Sequence, residues 1–354
     1  MPGARFFPDA KLNYAENLLR EPNNAIAIEE FREDGFSNTL TRKELECKAL
    51  KMAGWLKSKG IQKGDRVCAY MPNCSETIIT MLATSAIGAI FSSCSSDFGI
   101  DGVIDRFEQI APKILVAANG YLYNGKIIKR SDEIKTISKR LPSLEQILVV
   151  DYISSMKGSD HFPNFNTVFQ SDPLVNYVLC EFNDPLYIVF SSGTTGKPKC
   201  ITHSIGGVLI QHAKEHLLHI NLTEKQKLFY FTTCGWMMWN WLVGSLFCKS
   251  SIILYEGSPF YPNPEHLWRI ADRSEVNVFG TSAKYIDALS KSNIVPKKHF
   301  QLPNLGTICS TGSPLSPESY DYILSNIKSD VQIASISGGT DLLSFFVLSN
   351  PLSP

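Results

Sequence analysis

Nine consecutive residues, Ser191-Ser192-Gly193-Thr194-Thr195-Gly196-Lys197-Pro198-Lys199, combine glycines, hydroxyls and two lysines. Gly193 and Gly196 allow backbone conformations that a side chain forbids, so N–H groups and hydroxyls can turn toward one anion. Lys197 and Lys199 add positive charge beside it. A phosphate chain is the guest such a loop is suited to hold. The spacing is not that of a Walker loop, which has four residues between its glycines and Ser or Thr after its Lys. Here two residues separate Gly193 from Gly196, and Pro198 follows Lys197. The competing reading is a solvated Ser/Thr/Gly turn with two surface lysines.

Other groups could share in the chemistry. Thr311-Gly312-Ser313-Pro314 and Gly338-Gly339-Thr340-Asp341 each follow an apolar run, and the second ends on a carboxylate. Trp236, Met237, Met238, Trp239 and Trp241 follow Thr232-Thr233. Residues this apolar at helical spacing read as plain core or, for Trp236 above all, as the wall of a small pocket. Gly280 and Thr281, after another strand, are candidates for the same pocket. His212-Ala213-Lys214-Glu215-His216 matches the His-x-x-Glu-His pattern of inverted zinc peptidases, with His219 one turn further. A metal reading needs a third ligand and an open cleft, and Lys214 would sit among the ligands. His203 reads as a local structural or nucleotide-side group rather than a general base. No Ser-His-Asp pattern accompanies these residues.

The elements that must position them alternate along the chain. Apolar runs at 67–71, 89–91, 113–118, 146–150, 186–190, 228–232, 251–255, 276–280, 306–310 and 331–336 read as strands. Helical spacing covers 76–87, 100–110, 134–140, 205–219, 236–247, 264–272, 283–289 and 317–327. Thr41-Arg42-Lys43-Glu44 is a capping box opening a further helix toward Gly60. Such alternation predicts an α/β fold with parallel-rich sheets covered by helices in two subdomains. The boundaries expected are an N-terminal anchoring segment over 1–25, a first subdomain over 26–180 and a second over 181–354. In such folds ligands bind beyond the carboxyl ends of the strands, where the loops singled out above all lie.

Lys+Arg and Asp+Glu both number 34 in 354 residues, so the formal charge is zero and no nucleic-acid face or membrane-attracting basic patch is expected. Nine cysteines with no close Cys-x-x-Cys pair argue against a disulfide framework and a zinc site. Reduced thiols in the cytosol fit this usage. The uncharged runs 77–96 and 228–248 could mimic membrane spans. The first carries eight Ser and Thr residues, and the second is interrupted by Gly235 and Gly244, so each is expected to be a buried helix and strand.

Taken together, the loops resemble the AMP-forming acyl-CoA synthetases of the adenylate-forming superfamily. Residues 191–199 look like that family's phosphate loop, and Thr311-Gly312-Ser313-Pro314 like its adenine-contacting loop, where the family often has Gly-Glu-Pro. Gly338-Gly339-Thr340-Asp341 falls where the family has Tyr-Gly-x-Thr-Glu. Leu12-Asn13-Tyr14-Ala15-Glu16-Asn17-Leu18-Leu19, Ser95-Ser96-Asp97-Phe98-Gly99, Gly235-Trp236-Met237-Met238-Trp239-Asn240-Trp241 and Ser335-Ile336-Ser337 bring it nearest to the branch that activates acetoacetate.

The resemblance implies the large N-terminal domain of an adenylate-forming enzyme. It implies ATP, Mg²⁺ and CoA as cofactor and co-substrates, and acetoacetate as the acid. Acetate, propionate or butyrate is the alternative substrate, and a non-catalytic nucleotide- or partner-binding chain the alternative class. By the same resemblance Ser191, Ser192, Gly193, Thr194, Thr195, Gly196, Lys197, Gly312, Ser313, Pro314 and Gly339 would hold the nucleotide. Thr340, Asp341 and Lys199 would serve the reaction, Asp341 by holding Mg²⁺, though it is one methylene shorter than the family's Glu. Cys200 stands where the family usually has Gly. The family continues beyond this motif with a ribose-contacting acid, a hinge and a small domain carrying a lysine used in adenylation. The chain is therefore expected to lack that domain and to be impaired.

Overall fold

The computed structural model describes residues 6–156, 161–191 and 196–352. The first of its two large sheets has six strands, in the order Lys199–Ser204, Pro185–Ser191, Ile90–Ser95, Arg66–Met71, Ile114–Ala118, Gln146–Val150. The second has seven, in the order Gln332–Ser335, Thr307–Thr311, Val278–Ser282, Lys227–Tyr230, Ser251–Glu256, Ile26–Arg32, Ser37–Thr41. Pairing is parallel throughout both, except between the last two strands at one end of each sheet.

Strands buried on both faces have no polar side to show, and these do not. Along Arg66–Met71, Val67, Ala69 and Met71 enter a central core while Cys68 and Tyr70 enter an outer one. Along Ser251–Glu256, Ile252 and Leu254 face the central core, and Ile253 and Tyr255 face a second outer core. The central core joins one face of each sheet and takes in helices Arg42–Ser58, Ser75–Ala86, Ile205–Lys214 and Met237–Gly244. Ile100–Phe107 and Ser131–Arg140 cover the far face of the first sheet, His266–Arg273 and Ala283–Lys291 that of the second. The fold is α/β and parallel-rich, as the alternation of elements predicts.

Sheet membership does not follow chain order. Ile26–Arg32 and Ser37–Thr41 join the sheet of the later strands, and Pro185–Ser191 with Lys199–Ser204 closes the sheet of the earlier ones. The division drawn at 180/181 is thus not a division between sheets. Both uncharged runs resolve into a helix and a strand. In Ser75–Ala86 the hydroxyls of Thr80, Thr84 and Ser85 donate to the carbonyls of Glu76, Thr80 and Met81, which removes the cost of burying them. Among the described residues no helix is long and apolar enough to cross a membrane. Asn13, from the N-terminal segment, donates to the carbonyls of Ser85 and Ala86 at 2.9 and 3.1 Å, serving helix-end groups that lack intrahelical partners.

Two buried carboxylates stitch the sheets together. Glu256 accepts from the Asn73 N–H at 2.8 Å and Glu30 from the Ser75 N–H at 3.1 Å, both at the start of helix Ser75–Ala86. Burial pushes Glu256 up to about 8, with the charges of Asp97, Glu30 and Glu33 adding to it. Burial, then the charge of Glu76, pushes Glu30 up to about 7. A carboxyl raised on folding favours the native state fully below its unfolded value, and that contribution is lost as pH climbs to the folded value. Stability is therefore expected to fall between pH 5 and pH 8, by on the order of 1 kcal/mol per pH unit for one such group. Urea unfolding of Glu256→Gln should show a shallower fall than wild type. Identical slopes would sink the assignment.

Candidate functional site

The strands that flank the Gly-rich stretch pair with each other. Pro185–Ser191 pairs antiparallel with Lys199–Ser204, Ser191 standing opposite Lys199, and helix Ile205–Lys214 begins only after that return strand. The sequence predicts the helix from residue 205 but not this return strand, because Lys199-Cys200-Ile201-Thr202-His203-Ser204 does not alternate apolar with polar. Ser192, Gly193, Thr194 and Thr195 lie outside the described residues. Gly196 has φ +144°, a conformation L side chains rarely adopt. Lys199 is exposed. Lys197 is also exposed and pairs with Glu108 at 3.0 Å, while the Gln109 amide donates to the Pro198 carbonyl at 2.9 Å. The loop thus leans on the end of the helical segment 100–110.

A cleft of about 580 Å³ opens beyond the carboxyl ends of Thr307–Thr311 and Gln332–Ser335. Gly312, Ser313, Pro314, Gly339 and Thr340 line it together with Trp236. Gly312 has φ +90°, and a Cβ there would lie 4.0 Å from the Trp236 ring. The Thr311 hydroxyl donates to the Ile336 carbonyl at 2.9 Å, tying the two loops together. Trp236 is half-buried at the cleft, whereas Trp239 and Trp241 are fully buried. The Trp239 indole donates to Asn73 and the Trp241 indole to Glu215. These two are core; Trp236 is wall.

Gly280 and Thr281 do not line this cleft. A Cβ at Gly280 would fall 2.0 Å from the Tyr230 ring, so the glycine makes room for an aromatic side chain on the neighbouring strand. Thr281 is fully buried, its carbonyl accepting from the Tyr230 hydroxyl at 3.3 Å.

Thr340 and Asp341 occupy the tip of a hairpin made by Ser337–Gly339 and Ser344–Val347. Asp341 is exposed, and among the described residues no ion pair holds it. Two residues of the string resembling a zinc motif, His212 and Glu215, clamp this hairpin instead, and His216 bonds to the central core. His212 Nε2 donates to the Leu343 carbonyl at 3.1 Å, and His216 Nε2 to the Trp241 carbonyl at 3.0 Å. A carbonyl only accepts, so each Nε2 carries the proton. Glu215 accepts from Ser344 Oγ, from the Phe345 N–H at 3.2 Å and from Trp241 Nε1 at 2.9 Å. Burial holds His212 down to about 4 and His216 well below its ordinary value, so both rings are neutral near pH 7. Among the described residues no group of three or more His, Cys, Asp and Glu is placed to hold a metal.

His203, in the return strand, donates from Nε2 to the Thr340 carbonyl at 2.8 Å. Burial keeps its imidazole below the ordinary value, against that bond and the charge of Asp341. The return strand Lys199–Ser204 and the Thr340 hairpin are thus joined directly, a contact invisible from sequence because 137 residues separate the partners.

Over nearly its whole length the chain is similar to known proteins. The profile of the family described as AMP-binding enzyme matches residues 15–350. An acetoacetyl-coenzyme A synthetase of Rhizobium meliloti is 49% identical over all of this chain and 55% of its own length. An acetoacetyl-CoA synthetase of Mus musculus is 42% identical over 99% of this chain and 54% of its own. The solved acetoacetyl-CoA synthetase from Streptomyces lividans superposes with a TM-score of 0.95 at 37% identity, covering 99% of this chain and 55% of that one. The chain spans about half the length of the relatives it matches. With its profile match over nearly the whole chain, it belongs to the AMP-binding enzyme family.

Proposed function

We propose that the chain carries the nucleotide- and acid-binding part of an acetoacetate–CoA ligase, which joins acetoacetate to CoA at the expense of ATP through an acyl-adenylate. The supporting observation is the single cleft that puts Gly312, Ser313 and Pro314, Thr340 and Trp236 within one ligand's reach. Attack of the carboxylate on the α-phosphorus needs alignment and charge neutralisation more than a protein nucleophile. In this reading Gly312, Ser313 and Pro314 seat the adenine. Thr340 donates to the α-phosphate, and residues 191–197 with Lys199 hold the outer phosphates. Trp236 bounds the acyl group. Asp341 fits a magnesium ion carried in by the nucleotide. Such ions take one or two carboxylates and complete their shell with phosphate oxygens and water, and this carboxylate is exposed beside Thr340. The ion would neutralise phosphate charge. The nine free thiols accord with a reducing, cytosolic setting.

Calorimetric titration with MgATP tests the reading. Lys199→Ala and Thr194→Ala are each expected to weaken binding by about 10- to 100-fold, the range for losing a hydrogen bond to a charged group. Unchanged affinity in both would remove the phosphate-loop assignment. Acid specificity is read by ATP–pyrophosphate exchange, on this chain and on one extended to the relatives' length. Acetoacetate is expected to outrun acetate, propionate and butyrate.

A further inference from the structure

The Thr340 hairpin is held at its base by His212, which reaches the Leu343 carbonyl, and by Glu215, which gathers Ser344 and Phe345. Its tip is held differently. Inside the hairpin the Thr340 carbonyl accepts from the Leu343 N–H at 3.2 Å. From outside it, among the described residues, the bond that reaches Thr340 is the 2.8 Å donation from His203. His203 in turn is fixed by its strand: it stands opposite Tyr187 in the ladder, and the two rings meet edge-on with centroids 6.4 Å apart.

That one carbonyl governs more than Thr340. The peptide unit is planar, so the Thr340 C=O, the Asp341 N–H and the Asp341 Cα lie in one plane. Fixing the carbonyl fixes where the Asp341 Cα stands and the axis of its N–Cα bond, leaving only φ to set how the side chain leaves the backbone. Released from His203, the plane can rotate about its flanking single bonds while the base of the hairpin stays clamped. The acid would then lose its aim without loss of the fold around it.

We infer that His203 is a positioning residue: its Nε2–H pins the Thr340–Asp341 peptide against the return strand of the phosphate hairpin, and so aims Asp341 at magnesium-bound nucleotide. This rests on the nucleotide reading proposed above. It also accounts for a histidine four residues beyond Lys199 without asking it to transfer a proton. A donor at the Nε2 position is what the geometry needs, and glutamine supplies one at a similar distance from the backbone. Asparagine stops short of the carbonyl, and phenylalanine fills the space with no donor.

The test is ATP titration by calorimetry of the chain and its variants, once with excess magnesium chloride and once with EDTA. Wild type is expected to bind more tightly with magnesium. His203→Phe should lose about tenfold in the magnesium series and stay within about twofold in EDTA, as expected for one hydrogen bond acting on the ion's ligand. His203→Gln should restore the magnesium increment. A purely structural histidine would weaken both series alike and lower the unfolding midpoint. If His203→Phe does not fold, His203→Asn reads the same increment in a smaller, polar side chain. The inference is overturned if the donor-free variant keeps the magnesium increment, if Gln behaves like Phe, or if wild type gains nothing from magnesium. Absence of any ATP binding by wild type would overturn the nucleotide reading, and this inference with it.

Discussion

Glu215→Ala is expected to destabilise the protein by about 2–6 kcal/mol, because it orphans at least two buried donors at about 1–3 kcal/mol each. The side chain is 1% exposed, and its carboxylate collects the Trp241 indole N–H at 2.9 Å, the Phe345 N–H at 3.2 Å, the Gln211 amide at 3.0 Å and the Ser344 hydroxyl. Alanine leaves these donors without an acceptor in a place water does not reach. Each buried group so orphaned costs about 1–3 kcal/mol. The loss is directional, because Trp241 belongs to the central core while Ser344 and Phe345 belong to the hairpin carrying Thr340 and Asp341. The hairpin should therefore loosen first. Urea unfolding gives the free energy, and proteolysis followed by mass spectrometry shows whether cleavage begins within residues 337–347. Glu215→Gln keeps one acceptor oxygen and should fall between the two. A cost of under about 1 kcal/mol for alanine would mean the cluster is a surface-like network of little weight.

Gly280→Ala should cost about 1–3 kcal/mol, the range for adding a methyl to a filled core. The new Cβ would sit 2.0 Å from Tyr230 Cδ2, far inside contact distance. The ring cannot yield easily. Tyr230 is fully buried, its hydroxyl is bonded to the Thr281 carbonyl, and its face meets Trp236 at 6.2 Å and Trp241 at 5.9 Å between centroids. Any displacement is passed to Trp236 and thus to the wall of the cleft. Tyr230→Leu in the Gly280→Ala background frees the space, and a double-mutant cycle should return a favourable coupling of about 1 kcal/mol or more. Additive effects would show that the strand relaxes instead, and the glycine would then need another explanation.

Both results turn on residues whose packing partners the sequence does not name. Glu215 lay inside a string resembling a zinc motif, and Gly280 lay where a pocket residue was expected. What the sequence by itself determined about this protein is the order of strands and helices. Unbroken apolar runs such as residues 67–71 and 251–255 can only be strands buried on both faces, and helical spacing between them demands crossovers. The chemically distinctive loops were legible too, because glycine, hydroxyl and carboxylate in a fixed string state their chemistry locally. Family membership was legible for the same reason.

Tertiary structure alone decided which elements meet. Tyr187 pairs with Phe91, and Ile252 with Ile28, across separations that no local period encodes. Periodicity tells which face of a helix is apolar but not how deep it lies, so it left Trp236 open between core and wall. The fold made Trp236 half-buried beside Gly312 and buried Trp239 and Trp241 completely. A buried polar side chain must find a partner, but its sequence does not say which one. His203 found Thr340, 137 residues away, and Glu215 found Ser344, 129 away. Those contacts arise only when the two hairpins are folded against one helix, and they fix where Thr340 and Asp341 stand.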